Sequence, residues 1–99
     1  MDSFRIADID EIIHGRVRLG VMALLMAEDV AAFTALKSAL DVNEGTLSVH
    51  LRKLEEAGYV AIHKGFQGRR PLTTARLTDQ GRAAMRTYLD AIGKLAGLG

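Results

Sequence analysis

The stretch from Asn43 to Gly58, NEGTLSVHLRKLEEAG, constrains this chain more than any other because it carries a helix start, a buried stripe and a helix stop. Leu47, Leu51 and Leu54 fall at i, i+4 and i+7, so on a helix they share one face and must pack on a core. Asn43 suits the N-cap, where its side-chain oxygen accepts from a free backbone N–H. Gly58 suits the left-handed residue that ends a helix. The opposite face carries Gly45, Ser48, Val49, Arg52, Lys53 and Glu56, with Thr46 beside them.

A chain of 99 residues supplies one core and is expected to form one domain over residues 1–99. Hydrophobic residues at 48% and charged ones at 25% match an ordinary globular mix, which argues against disorder and fibrous repeats. The absence of cysteine excludes disulfides, thiolate metal ligation and thiol redox sensing. The apolar run Leu19–Ala27 is too short to span a membrane, and no charged-then-apolar leader is seen, so a cytoplasmic protein is expected.

The net charge of +1 hides an asymmetry. Residues 1–44 hold four basic and eight acidic residues, whereas residues 45–86 hold eight basic residues against Glu55, Glu56 and Asp79, giving local sums of −4 and +5. Such an oriented footprint suits a polyanionic partner.

In chain order, residues 1–8 read as a loose arm, with Asp8 or Asp10 positioned to cap a first helix. Ile9, Ile12, Ile13, Val17, Leu19, Val21, Met22, Leu24, Leu25 and Met26 make that helix strongly apolar to about Ala27. Each glycine within it costs ~1 kcal/mol relative to alanine, which predicts a break near Gly15 or a close helix contact at Gly20. Val30–Phe33 suits a brief extended segment. Thr34 is expected to cap a second helix, Ala35–Leu40, and Asp41-Val42-Asn43 makes a tight connection to the next, a helix-turn-helix arrangement.

Past Gly58 the period changes. Tyr59–His63 reads as a strand ending near Lys64, Gly65–Pro71 as a long loop, and Leu72–Thr78 as a second strand, together a β-hairpin. Between Glu56 and Asp79, 22 residues hold Lys64, Arg69, Arg70 and Arg76 and no acid. Thr78 is the expected cap of a last helix running from Gln80 to about Leu95, with Met85, Leu89 and Ile92 as its buried stripe. The tail Ala96–Gly99 is expected to fray.

The resulting order predicts a mainly α fold with a small β-hairpin: a winged helix-turn-helix with a three-helix core, a two-stranded wing and a C-terminal helix. A helix entering the major groove needs a small or polar outward face near its start, which Gly45, Thr46, Ser48 and Val49 supply, with Arg52 and Lys53 a turn further on. Lys64, Arg69, Arg70 and Arg76 are the candidate wing contacts. Arginine suits a narrow minor groove because its delocalised, weakly hydrated cation is drawn to the negative potential there. Thr34 and Lys37 are candidate phosphate contacts.

The segments "FTALKSALDVNEGTLSVHLRKLEEAGYV" and "KGFQGRRPLTTARLTDQGRAAMRTYL", together with "IIHGRVRLGVMALL", resemble the small winged-helix transcriptional regulators related to the MarR and ArsR groups. The resemblance covers nearly the whole chain and is most specific in "TLSVHLRKLEEAGYV" and "KGFQGRRPLTTARLTDQGR". It implies a homodimer on a pseudo-palindromic double-stranded DNA operator, with the recognition helix centred on Thr46–Lys53 and the wing on Gly65–Pro71. The chain departs from larger MarR proteins in lacking their long added dimerisation helices and any evident effector pocket.

Other readings are weaker. No nucleophile stands with a base, and no paired carboxylates suggest a cleft, so an enzyme is not expected. His14, His50 and His63 are too widely spaced for a short metal motif, and no cofactor is indicated. Gly65-x-x-Gly68 opens no helix and so is not a phosphate loop. A winged-helix module that binds protein instead of DNA is the alternative, and the acid-free run from Lys64 to Arg76 favours nucleic acid.

Overall fold

The computed structural model describes residues 5–97, so the first half of the expected N-terminal arm (1–4) and the end of the expected fraying tail (98–99) lie outside the described residues. A 3-10 turn at Ile6–Asp8 leads to α1 (Arg16–Glu28), β1 (Val30–Ala32), α2 (Phe33–Leu40) and α3 (Glu44–Glu56). The hairpin β2 (Val60–Gln67) and β3 (Arg70–Leu77) follows, then α4 (Asp79–Leu95). The strands form one antiparallel sheet in the order β1-β3-β2. The hairpin is as expected, and the extended segment after α1 joins it as a third strand, pairing Val30, Ala31 and Ala32 with Arg76, Ala75 and Thr74.

The core lies where the helices meet the base of the hairpin. Val21, Met22 and Leu25 from α1, Leu36 from α2, and Leu47, Leu51 and Leu54 from α3 are all buried, with Val60, Ala75 and Leu77 of the sheet and Met85 and Tyr88 of α4. The α3 stripe is therefore core, as its spacing predicts. Gly20 lets α2 approach closely: a Cβ there would stand 2.5 Å from the Leu40 side chain. The break near Gly15 is also present, since Gly15 has φ 155° and α1 begins only at the following residue.

Two expected caps are displaced. Asp10 caps not α1 but the single turn before it, accepting from the backbone N–H of Ile12 at 2.8 Å. Thr34 does not cap α2, which already begins at Phe33 behind Ala32. The apolar residues Ile9, Ile12 and Ile13 accordingly reach the core from a turn, with Ile13 fully buried. The face of α4 is also rotated from expectation. Met85, Tyr88 and Ala91 point inward, while Leu89 is 48% exposed and Ile92 only half-buried. Tyr88 is drawn inward with a partner for its hydroxyl, His14 Nδ1 at 2.9 Å.

The caps of α3 and α4 follow the sequence closely. Asn43 Oδ1 accepts from Thr46 N–H at 2.8 Å. Gly58 has φ 81° and donates to Glu55 O while Tyr59 N–H donates to Leu54 O, the paired closure of a Schellman motif. Thr78 Oγ1 accepts from Gly81 N–H at 2.9 Å and donates to Gly58 O at 2.5 Å, so one hydroxyl caps α4 and fastens it to the end of α3. Gly81 makes this contact possible, because a Cβ there would collide with the Tyr59 carbonyl.

The wing is longer and tighter than expected. Both strands run on through the residues read as loop, leaving only Gly68 and Arg69 as the turn. Gly68 at φ 64° fits the first central position of a two-residue hairpin turn. Pro71 is tolerated within β3 because β1 pairs only Thr74–Arg76, so the missing N–H faces an unpaired edge.

Gly81→Ala should lower stability by about 1–3 kcal/mol, the usual cost of overpacking against a rigid neighbour. Gly93→Ala should raise it by about 0.5–1 kcal/mol, because that helical position has open space around it. Urea unfolding of the two variants checks both signs.

A second prediction concerns Tyr59, whose hydroxyl donates to Asp10 Oδ2 at 2.6 Å. This bond to the carboxylate, reinforced by burial and by the Asp10 charge, pushes the Tyr59 pKa up from 10.0 to about 12. The folded state thus keeps a proton the unfolded chain has lost. The resulting stability is intact below pH 10 and is lost as pH rises towards 12. Thermal melting across that window should show a decline that Tyr59→Phe reduces.

Candidate nucleic-acid interface

The Asn43 cap and the buried leucine stripe fix both the start and the rotation of α3, and so decide which side chains it presents. Gly45, Val49, Arg52 and Lys53 are exposed, with Thr46 and Ser48 half-buried on the flanks. Small groups occupy the first turns and long cations the third, so a rod-like partner can approach the backbone closely near Gly45 and Val49.

Alternation along the hairpin sorts the wing residues. Val60, Ile62, Lys64 and Phe66 share a face with their cross-strand partners Leu77, Ala75, Thr73 and Pro71. Val60, Ala75 and Leu77 are buried, so this face looks towards the helices. Beyond the core it opens into a cleft against α3, lined by Ser48, Arg52 and Glu55 on the helix and by Lys64 and Thr73 on the wing, with Phe33 and Ile62 between. The structure therefore brings Ser48, Arg52 and Lys64 together.

The other candidates are more dispersed. Arg69 sits at the turn, while Arg70 and Arg76 lie on the opposite hairpin face from Lys64. Lys53 turns towards the N-terminal side, lining a groove with Ile12, Arg18 and Glu56. Thr34 and Lys37 are exposed on α2. The acid-free run is thus not one basic patch: period-two alternation distributes its cations over both faces and the tip.

Two features escaped the sequence. Arg18 in α1 donates from Nε to Ile12 O at 2.6 Å and faces His50 Nδ1 of α3 across 3.2 Å with its Nη1. Because the guanidinium only donates, His50 Nδ1 accepts and the ring is neutral with its proton on Nε2. Burial first, then the charges of Arg18 and Lys53, lower the His50 pKa. This pair links α3 to α1 across 32 residues of sequence, and no local motif signals it. The other is Phe66, which is 74% exposed near the wing tip. A lone aromatic within a stretch read as loop carried no signal until the strand register placed it on the Lys64 face.

Among the described residues no helix is long and apolar enough to cross a membrane. The family model for the winged helix DNA-binding domain matches residues 17–96. An uncharacterized protein of Methanocaldococcus jannaschii is 35% identical over 86 residues, spanning 87% of this chain and 94% of that one. Among solved structures, a transcriptional regulator homologue from Pyrococcus horikoshii superposes with a TM-score of 0.83 at 31% identity, covering 89% of this chain and 87% of its own. A MarR-family regulator from Enterococcus faecalis gives a TM-score of 0.68 at 26% identity over 87% of this chain and 74% of its own. The Mycobacterium tuberculosis regulator MosR, solved in complex with DNA, shares the fold with a TM-score of 0.67 at 20% identity, covering 81% and 56%. With its helix-turn-helix, its capped third helix and its wing matched together from residue 17 to residue 96, this chain belongs to the winged helix DNA-binding domain family and has the fold of the MarR-like transcriptional regulators.

Proposed function

We propose that the protein is a transcriptional regulator that binds double-stranded DNA sequence-specifically, with α3 in a major groove and the wing on the adjacent groove. The observation that carries this reading is the shared cleft: Ser48 and Arg52 of α3 face Lys64 and Thr73 of the wing across one concave surface. Gly45, Thr46, Ser48 and Val49 approach base edges, and Arg52 and Lys53 reach guanines or flanking phosphates. Lys64, Arg69, Arg70 and Arg76 on the wing, with Thr34 and Lys37 on α2, hold the backbone and orient the domain. The membership in a DNA-binding family and the regulator homologue from Pyrococcus horikoshii support the same reading.

We further propose a homodimer joined through the terminal elements. Ile6 is 80% exposed, Leu89 48% and Leu95 56%, so the outer side of α4 and the segment before α1 keep apolar surface that the described fold does not cover. Two copies would set their α3 helices one helical turn of DNA apart, ~34 Å.

Selection from a random DNA pool, followed by gel-shift titration at two salt concentrations, tests the binding reading. A selected sequence bound with steep salt dependence is expected, and binding that is absent or insensitive to salt would contradict it. Arg52→Ala or Ser48→Ala should change preference at a contacted base pair by ~1–3 kcal/mol, whereas Arg70→Ala should weaken selected and random duplexes alike. Sedimentation at micromolar concentration should return a dimer that Leu89→Glu converts to monomer. A monomeric wild type would refute the dimer.

A further inference from the structure

Phe66 stands apart from the other exposed apolar side chains in its setting. The two-residue turn makes Gln67 and Arg70 the closing pair of the hairpin and Phe66 and Pro71 the next pair. In an antiparallel ladder that next pair is of the non-hydrogen-bonded kind, in which facing side chains approach most closely. Phe66 thus stands directly opposite a proline whose own φ is fixed, on a tip whose turn is set by Gly68. Its face is that of Lys64 and Thr73, the wing side of the cleft against α3. Arg69 and Arg70 flank it in the turn and at the start of β3.

An exposed apolar ring with Lys64 on its own face, Arg69 in the adjoining turn and Arg70 on the reverse of the tip suits a partner with an anionic exterior and an apolar interior reachable between the charges. A duplex groove has that construction, since phosphates border it and stacked bases form its floor.

Resting on the DNA reading above, we propose that Phe66, opposite Pro71, is an apolar wedge that enters the minor groove beside the α3 site and opens a base step there. Lys64, Arg69 and Arg70 hold the bordering phosphates while the ring contacts the bases. Insertion of an apolar side chain partly unstacks the step and bends the duplex towards the major groove. The wing would then favour flexible pyrimidine–purine steps at positions that it reads by deformability instead of by hydrogen bonds.

The test uses a duplex selected from a random pool, with 2-aminopurine placed at one position at a time to report unstacking. Wild type should raise its fluorescence at a step flanking the α3 site, and Phe66→Trp should retain the rise. Phe66→Ala should abolish it and weaken binding roughly tenfold, as loss of one base–aromatic contact does. Its salt dependence should be unchanged because no charge is removed, whereas Arg69→Ala should reduce the salt dependence and keep the fluorescence signal. Because Phe66 is largely exposed, the melting temperature of Phe66→Ala should match the wild type, which separates a contact role from a folding role.

Wild-type fluorescence that stays flat at every position overturns the wedge, as does a Phe66→Ala protein that binds and unstacks like the wild type. A wild type that binds no duplex at all overturns the DNA reading and the wedge with it. That failure is distinct from the first two, in which duplex binding survives.

Discussion

The close contact between Gly81 and the Tyr59 carbonyl holds the end of α3, the base of the wing and the start of α4 together. Three elements converge there: the Schellman closure that ends α3, the start of β2, and the first turn of α4. The absent Cβ lets the backbones touch, and the Thr78 hydroxyl uses the proximity twice, accepting from Gly81 and donating to Gly58. Thr78 N–H also donates to Tyr59 O at 3.1 Å, and Gln80 Nε2 to Ala57 O at 3.3 Å. This cluster of backbone groups and caps joins α3 to the base of the wing, beside the apolar core that Leu51 and Leu54 share with Val60 and Leu77. A second tie, Asp10 to Tyr59, anchors the segment before α1 to the same place.

Where structure follows local chemistry, the sequence was legible. The limits of α3, its Asn43 cap, its Gly58 terminus and its buried leucines all follow from residues within one helix length, as does the Thr78 cap. What local chemistry leaves open is settled by tertiary contact. The isoleucines before α1 have the spacing of a helix, yet Gly15 and the Asp10 turn divert them into the core as a loop. The rotation of α4 is decided by Tyr88 meeting His14, a partner 74 residues away. Two glycines and a proline suggested a long wing loop, but only Gly68 is used as a turn residue. Gly65 pairs within β2 opposite Leu72, and Pro71 rests on an edge that β1 does not reach.

The candidate site shows the same division. The composition of the acid-free run identified cations, whereas the register decides which way each is turned. Lys64 joins Ser48 and Arg52 in the cleft, and Arg70 and Arg76 face away. In the proposed complex these cations do different work, some next to α3 and some on backbone further out. His50, held by Arg18, belongs to the support of α3, tying it to α1 and to the segment that leads into it.

The central claim is that α3 and the wing form one surface that reads two neighbouring grooves. Dimethyl sulfate interference tests it directly, because methylation marks guanine N7 in the major groove and adenine N3 in the minor groove. On a selected duplex, the account predicts guanine N7 interference in a central block under α3 and adenine N3 interference in the flank under the wing. Interference confined to one groove, or none at either atom on a duplex that is nevertheless bound, would contradict it.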